Sequence, residues 1–200
     1  MVTVGVLARF EAKFGNEAKV ERFFQEGLAI VQRQKASTIW FVFRLGPTTF
    51  GAFAAFANED ERLSLLSVGG PIAAQKNSEL FVQPPTFQNI SIVAAKLPRG
   101  EKNVALGSLV RFETRSGKEA AFEDFLKDAL LAIQEAPGTT AWFAFRLGSS
   151  IFGVFDAFIS EEGRRAHFLA GAERAEKASD LLKVSPVVEK VDLLATKLCG

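Results

Sequence analysis

Residues 40–46 have the sequence WFVFRLG, and residues 142–148 repeat it as WFAFRLG, 102 positions later (142 minus 40). The same offset relates RFE at 9–11 to RFE at 111–113, and between residues 9 and 62 it makes 24 of 54 aligned positions identical. Similarity at a fixed period indicates an internal duplication. We therefore predict a first repeat over residues 1–98 and a second over 104–200, joined by a polar, turn-rich linker from Pro98 to Asn103.

Both repeats show the same order of hydrophobic patterns. In the second repeat, alternating apolar residues predict strands over 106–115, 139–147, 151–158 and 187–198. Apolar residues at helical spacing follow the first of these strands, from Phe122 to Ile133, and a second helix is predicted over about 161–182. Ser116 with Glu119 resembles a capping box, and Asn58 or Ser160 is suited to cap the second helix of its repeat. Pro137-Gly138 predicts where the first helix ends, whereas Lys35-Ala36 marks its counterpart less clearly.

The resulting order β-α-β-β-α-β is the ferredoxin-like arrangement, with both helices on one face of a four-stranded sheet. The other face is also apolar and needs a cover, which the second repeat can supply. The predicted class is therefore α+β, with two ferredoxin-like repeats pairing within the chain as a dimeric α/β barrel, a pseudo-dimer. Further association between chains stays open.

Composition narrows the functional classes. The 24 basic and 23 acidic residues nearly cancel, so nucleic acid is not a predicted partner. No apolar run reaches the length of a membrane span, and the first nine residues resemble a strand rather than a signal peptide. The single cysteine, Cys199, permits no internal disulfide, which favours a cytoplasmic location.

The chain lacks the common cofactor motifs. It has neither a glycine-rich phosphate loop nor a G-x-S-x-G turn, and one histidine with one cysteine cannot build a typical zinc site. The aromatic residues are 20 Phe and 2 Trp, with no Tyr, so the predicted interior is large and apolar. We expect no cofactor and no metal, and a small apolar aromatic ligand if one is bound.

Three segments of the second repeat carry a resemblance to a known family. Residues 138–143 (GTTAWF), 152–158 (FGVFDAF) and 165–167 (RAH) resemble small antibiotic biosynthesis monooxygenase (ABM) proteins of the dimeric α/β-barrel superfamily. The resemblance covers both repeats and implies oxidation of quinol- or anthrone-type rings by O₂ without a cofactor. The superfamily also contains haem-degrading proteins and proteins without known activity, so the alternative is a non-catalytic ligand-binding or structural barrel. Where the family often has Trp two positions after an acidic residue, this chain has Phe158, which disfavours haem degradation.

Three residues are candidates for catalysis. His167 is the only histidine and lies where the resemblance implies one, so it is the predicted base, although a polar residue at the rim of a helix is the alternative. Asp156 shares a strand face with apolar residues, so it needs a partner, either His167 or an arginine. Arg146 is predicted to support an anion. Because both repeats keep Arg146 and Arg111, Arg–Glu pairing between neighbouring strands is the favoured alternative for each.

The predicted ligand contacts are aromatic and basic: Trp142, Arg111, Phe155 and Phe158. The aromatic members could instead belong to the core. The two repeats differ where chemistry is expected, because His167 aligns with Leu65 and Asp156 with Ala54. We therefore predict that any chemistry, and the pocket that serves it, belongs to the second repeat only.

Overall fold

The computed structural model describes residues 1–33, 38–98 and 103–198. The Lys35-Ala36 helix end, most of the linker and Cys199 lie outside the described residues.

The first repeat consists of four strands and three helices. They are β1 Val4–Glu11, α1 Glu17–Gln32, β2 Ile39–Arg44, β3 Thr49–Phe56, α2 Glu59–Val68, α3 Gly70–Lys76 and β4 Thr86–Lys96. The predicted second helix is divided here, since Gly69 ends α2 and Pro71 lies in the first turn of α3. Glycine is common just after the last residue of a helix, and proline is tolerated in the first turn. This stretch of sequence therefore suits the end of one helix and the start of the next.

The second repeat has the same order with a continuous second helix. Its elements are β5 Leu106–Glu113, α4 Glu119–Gln134, β6 Thr139–Arg146, β7 Ile151–Phe158, α5 Glu161–Lys177 and β8 Val187–Lys197. The helix α5 ends five residues before the predicted end, and a 3-10 turn, Ser179–Leu181, follows it.

The strands form one closed antiparallel barrel in the order β1-β3-β2-β8-β5-β7-β6-β4. The α+β class and the intrachain dimeric α/β barrel are thereby confirmed. Within this order, β8 pairs with β2 and β4 pairs with β6, so the last strand of each repeat joins the central hairpin of the other.

This strand exchange also moves the borders of the compact units. One unit comprises Met1–Asn89 with Asp192–Gly200, and the other comprises Ile90–Val191. The borders fall within β4 and β8, because the second part of each strand is bound to the hairpin of the other repeat. The repeat limits at residues 98 and 104 describe the duplicated sequence and stay a prediction.

Each unit has its own apolar layer between sheet and helices. In the first unit Phe10 meets Phe24 edge-on, with 5.0 Å between ring centroids. In the second unit Phe122 meets Phe152 in the same way at 5.3 Å. This geometry is the one that aromatic quadrupoles favour.

The helix caps were predicted with mixed success. Ser160 Oγ accepts a hydrogen bond from Gly163 N at 3.2 Å, and Asn58 Oδ1 accepts one from Glu61 N at 3.0 Å, so both caps are confirmed. The capping box at Ser116 is wrong: the helix α4 starts after Lys118, without a side-chain cap. Gly117 has a φ of 81°, so the chain is still turning one residue after Ser116.

Candidate active site

A cavity of about 360 Å³ lies in the second unit between the sheet and the helices α4 and α5. Its wall is mostly apolar, with Trp142 from β6 and Phe125 from α4. Two titratable side chains from the predicted site, Asp156 and His167, also line it. Cavities of this size and character are typical of small-ligand sites.

Asp156 reaches this cavity from the centre of the sheet. It lies in β7, with Ser108 of β5 and Trp142 of β6 as its cross-strand neighbours, and it is fully buried. Its Oδ2 accepts a hydrogen bond from Ser108 Oγ at 2.8 Å, while the buried Oδ1 accepts none. Burial raises the pKa of Asp156 above its usual range, and the His167 charge and the Ser108 hydrogen bond act in the opposite direction.

His167 projects from α5 onto this carboxylate. Its Nε2 lies 3.4 Å from Asp156 Oδ1, and its Nδ1 lies 3.0 Å from Thr139 Oγ1. The ring packs against Phe158 with 5.3 Å between centroids. Only 10% of the His167 side chain is exposed, so this is not a solvated residue at a helix rim. Asp156 therefore faces His167 rather than an arginine.

The pair can hold a proton in two ways. At 3.4 Å, Nε2 and Oδ1 are in charge contact but beyond the usual length of a hydrogen bond. The Thr139 hydroxyl can donate to Nδ1 or accept from it, so it accommodates either tautomer of the ring. One proton can thus reside on the carboxylate or on the imidazole without changing the net charge of the pair.

Two glycines let α5 approach the loop before β6. A Cβ on Gly138 would lie 2.8 Å from Gly163 Cα, so no larger residue fits at this contact. A second pocket of about 480 Å³ lies beside it and includes Thr139, His167 and Arg174 in its lining. His167 and Arg174 line both pockets, so the two pockets adjoin at these residues.

The structure places Arg146 away from this pair. Its guanidinium donates to Gly148 O at 2.8 Å and to Ser149 O at 2.5 Å, and it lies 3.6 Å from Glu123 Oε2. Arg44 of the first repeat likewise binds Glu21. Both arginines thus pair with a glutamate on a helix, rather than with one on a neighbouring strand as predicted.

The predicted ligand contacts divide into two groups. Trp142 lines the cavity, and Phe158 supports the His167 ring. Phe155 alternates with Val154 and Asp156 along β7, so it points to the other face of the sheet. Arg111 is exposed and does not line the cavity.

Sequence reasoning missed Ser108 and Thr139, the hydrogen-bond partners of the pair. The sequence did contain a signal for Ser108. It aligns with Val6, so that it is, like Asp156 and His167, a polar residue of the second repeat at a position that is apolar in the first. The counterpart of Thr139 is Ser37, so no such contrast marked it.

The first unit contains a smaller counterpart of the cavity. It measures about 140 Å³, and Val6, Ala54 and Leu65 line it where the second repeat has Ser108, Asp156 and His167. The cavity beside His167 agrees with the prediction, but the prediction that only the second repeat has a pocket is wrong. Both repeats retain space between sheet and helices. The lining of the first contains Glu26 and Asn77, and only the second has the Asp156–His167 pair.

Neither a metal cluster nor a spanning helix is found in residues 1–33, 38–98 and 103–198. In those ranges no three histidine, cysteine, aspartate or glutamate side chains could jointly hold a metal ion. No helix there is long and apolar enough to cross a bilayer.

Comparison with solved structures places the fold. A putative monooxygenase from Fusobacterium nucleatum superposes with a TM-score of 0.85 at 10% identity, covering 100% of this chain and 95% of that one. A ferredoxin-fold protein related to antibiotic biosynthesis monooxygenases, from Listeria monocytogenes, gives a TM-score of 0.59 at 8% identity over 96% and 95% of the two chains. The chain has the fold of the ABM-like dimeric α/β barrels. An anthrone oxidase-like protein shares this ABM-like fold with a TM-score of 0.64 at 11% identity, over 99% of this chain and 94% of that one. No family profile and no curated protein matches the sequence.

Proposed function

We propose that the second repeat is a cofactor-independent monooxygenase that oxidises a quinol- or anthrone-type ring with O₂. The observation that carries the proposal is the buried Asp156–His167 pair in the wall of a mostly apolar cavity. Buried titratable pairs with a raised pKa in a cleft are typical of acid–base sites. The anthrone oxidase-like protein and the F. nucleatum protein support the same class of chemistry through their shared fold.

The first step is removal of a proton from the substrate. A CH₂ group bonded to two aromatic rings, and conjugated through them with a carbonyl, loses a proton to the Asp156–His167 pair while the carboxylate is ionised and the imidazole neutral. This leaves a carbanion spread over the rings and the carbonyl oxygen. A dry apolar cavity favours such a delocalised anion over the localised charge of the carboxylate. Trp142 is placed to pack against the flat ring.

The second step uses O₂ as the oxidant. The carbanion passes one electron to O₂, and the two radicals combine into a C–O bond. The pair returns its proton to give a hydroperoxide. Loss of the second C–H proton and cleavage of the O–O bond then leave a carbonyl group. One oxygen atom remains in the product, and the other leaves as water with the two hydrogens of the CH₂ group.

Other polar residues hold the pair in place. Ser108 fixes one carboxylate oxygen, so the other is directed at the imidazole. Thr139 fixes the imidazole from its far side. Arg146 contributes by anchoring the turn between β6 and β7 rather than by contact with the ligand.

The test is turnover of a panel of anthrones, naphthols and quinols with and without oxygen. We expect oxygen-dependent product from the wild-type protein and a loss of about 10²-fold or more in His167→Ala, the usual size of a general-base contribution. The matched control is Leu65→Val, which alters the equivalent position of the first repeat and is expected to keep wild-type turnover.

Unchanged turnover in His167→Ala would rule out its role as base. Absence of turnover across the panel would favour the alternative, a non-catalytic barrel that binds small apolar ligands. The apolar cavity of the first repeat gives that alternative a structural basis.

A further inference from the structure

Three residues of α5 form a line along the cavity of the second unit. His167, Gly171 and Arg174 all belong to its lining, and they are spaced by four and three residues. This spacing places them on one helix face, with Arg174 about 10 Å along the helix axis from His167. The cavity thus extends from the titratable pair to a fixed positive charge.

Gly171 leaves the space between these two residues open. A Cβ placed on it would meet no atom within 4 Å, in contrast to Gly138 and Gly163, where backbone atoms exclude one. Bare helix backbone therefore forms part of the wall, and a flat molecule can lie against it.

The cavity has a basic end. Arg174 has no carboxylate partner among the residues that the structure describes. Lys190 belongs to the other end, since its Nζ lies 3.8 Å from Glu161 at the start of α5 and 5.8 Å from the ring centroid of Phe168. Both line the cavity of the second unit. The lining of the first-repeat cavity contains neither lysine nor arginine, so the basic end accompanies the Asp156–His167 pair.

The size of the cavity limits the ligand. A cavity of roughly 150 Å³ holds one benzene ring, and this one measures about 360 Å³. A fused system of roughly two or three rings therefore fits.

We propose that the second repeat binds a planar, fused-ring aromatic acid. Its carboxylate lies at Arg174, its rings lie over Gly171, and its far end faces Asp156 and His167. This proposal rests on the proposed function in one respect: the carbon that is oxidised would lie at the end of the ligand that faces Asp156 and His167. Arginine suits the role because its planar guanidinium can bind a carboxylate through two hydrogen bonds.

The test compares an acid with a neutral molecule of the same shape. Naphthalene-2-carboxylate and naphthalene-2-carboxamide are titrated into the wild-type protein by calorimetry. We expect the carboxylate to bind about tenfold more tightly, which corresponds to one charge-assisted hydrogen bond at a partly exposed site.

Three variants assign the effect to the line of residues. Arg174→Gln is expected to weaken carboxylate binding about tenfold and to change carboxamide binding less than twofold, because only the charge is lost. Gly171→Leu is expected to abolish binding of both probes by filling the open space, while raising the helix propensity of α5. Lys177→Gln removes a positive charge from the exposed end of α5 outside the cavity, and is expected to change neither affinity.

The outcomes separate this inference from the proposed function. Equal affinity for the two probes, no effect of Arg174→Gln, or no binding of either probe would each overturn the proposal of an aromatic acid. Charge-selective binding without turnover of any panel compound would uphold it and count against the oxygenase. Turnover without charge selectivity would do the reverse.

Discussion

Asp156 is a costly residue for folding, and the proposed function gives it a use in chemistry. Its carboxyl group is fully buried, and one of its oxygen atoms lacks a hydrogen-bond partner in the described structure. Its first-repeat counterpart, Ala54, has no such cost at the same strand position. Buried, incompletely bonded polar groups of this kind are destabilising and concentrate at functional sites.

We predict that Asp156→Asn makes stability less dependent on pH. Because the pKa of Asp156 is raised in the folded state, the folded protein binds more protons than the unfolded chain as the pH rises above 3.8, so its stability falls until the raised pKa is passed. Asp156→Asn removes this loss of stability, which amounts to about 1.4 kcal/mol for each tenfold difference in proton affinity between the folded and unfolded states.

Urea unfolding of both proteins at a series of pH values measures this difference. The free energy of unfolding of the variant should exceed that of the wild type increasingly with pH, and the difference should then level off. Asp128→Asn is the control, since that side chain is exposed on α4, and its difference should stay flat. A flat profile for Asp156→Asn would show that burial does not perturb this carboxyl group.

At the level of elements, each central hairpin contains a glycine that is covered by an aromatic ring of the paired strand. Gly153 lies opposite Phe145, and Gly51 lies opposite Phe43. A Cβ on Gly153 would come within 2.4 Å of the Phe145 ring, which is fully buried and cannot move aside. The repeated Phe-Gly pattern thus has a packing cause, in which the ring covers the glycine.

We predict that Gly153→Ala destabilises the protein by about 1–3 kcal/mol, the usual cost of overpacking a tight core. Chemical denaturation measures the change. Gly148→Ala, in the turn of the same hairpin, is the matched control, because its Cβ would meet no atom within 4 Å. Equal effects of the two substitutions would mean that contact with the Phe145 ring is not the reason why glycine is required at position 153.

At the level of the whole molecule, the first repeat can be compared with the second as the same fold with apolar residues in place of the polar pair and its partner. Three polar residues of the second repeat, Ser108, Asp156 and His167, correspond to Val6, Ala54 and Leu65 in the first. The first repeat shows that this fold accommodates the apolar set. Buried charge pairs are often no more stable than apolar residues of similar volume.

We predict that Ser108→Val/Asp156→Ala/His167→Leu leaves the protein at least as stable as the wild type, with a gain of up to about 4 kcal/mol. The same variant should lose all oxygen-dependent turnover. Thermal unfolding and the turnover assay together check this. A loss of stability with the fold retained would show that the polar set serves structure, and that its cost is already balanced.

The sequence by itself determined the duplication, the order of strands and helices, and hence the barrel. These follow from local periodicity and from the 102-residue repeat, which are written in neighbouring residues. It also singled out Asp156 and His167 as candidates, through the family resemblance and because each stands where the other repeat has an apolar residue. The capping box failed because Gly117 redirects the backbone, an effect that residue spacing does not reveal.

Tertiary structure alone decided what surrounds the candidate residues. Ser108 of β5 bonds to Asp156, Thr139 of β6 contacts His167, and Arg174 of α5 lines the same cavity as this pair, although these segments are far apart in the chain. It also placed two candidates outside the site. Arg146 binds the turn between β6 and β7, and Phe155 points to the other face of β7. Contacts between distant segments depend on packing in three dimensions, and a single sequence records which residues are unusual but not which of them meet.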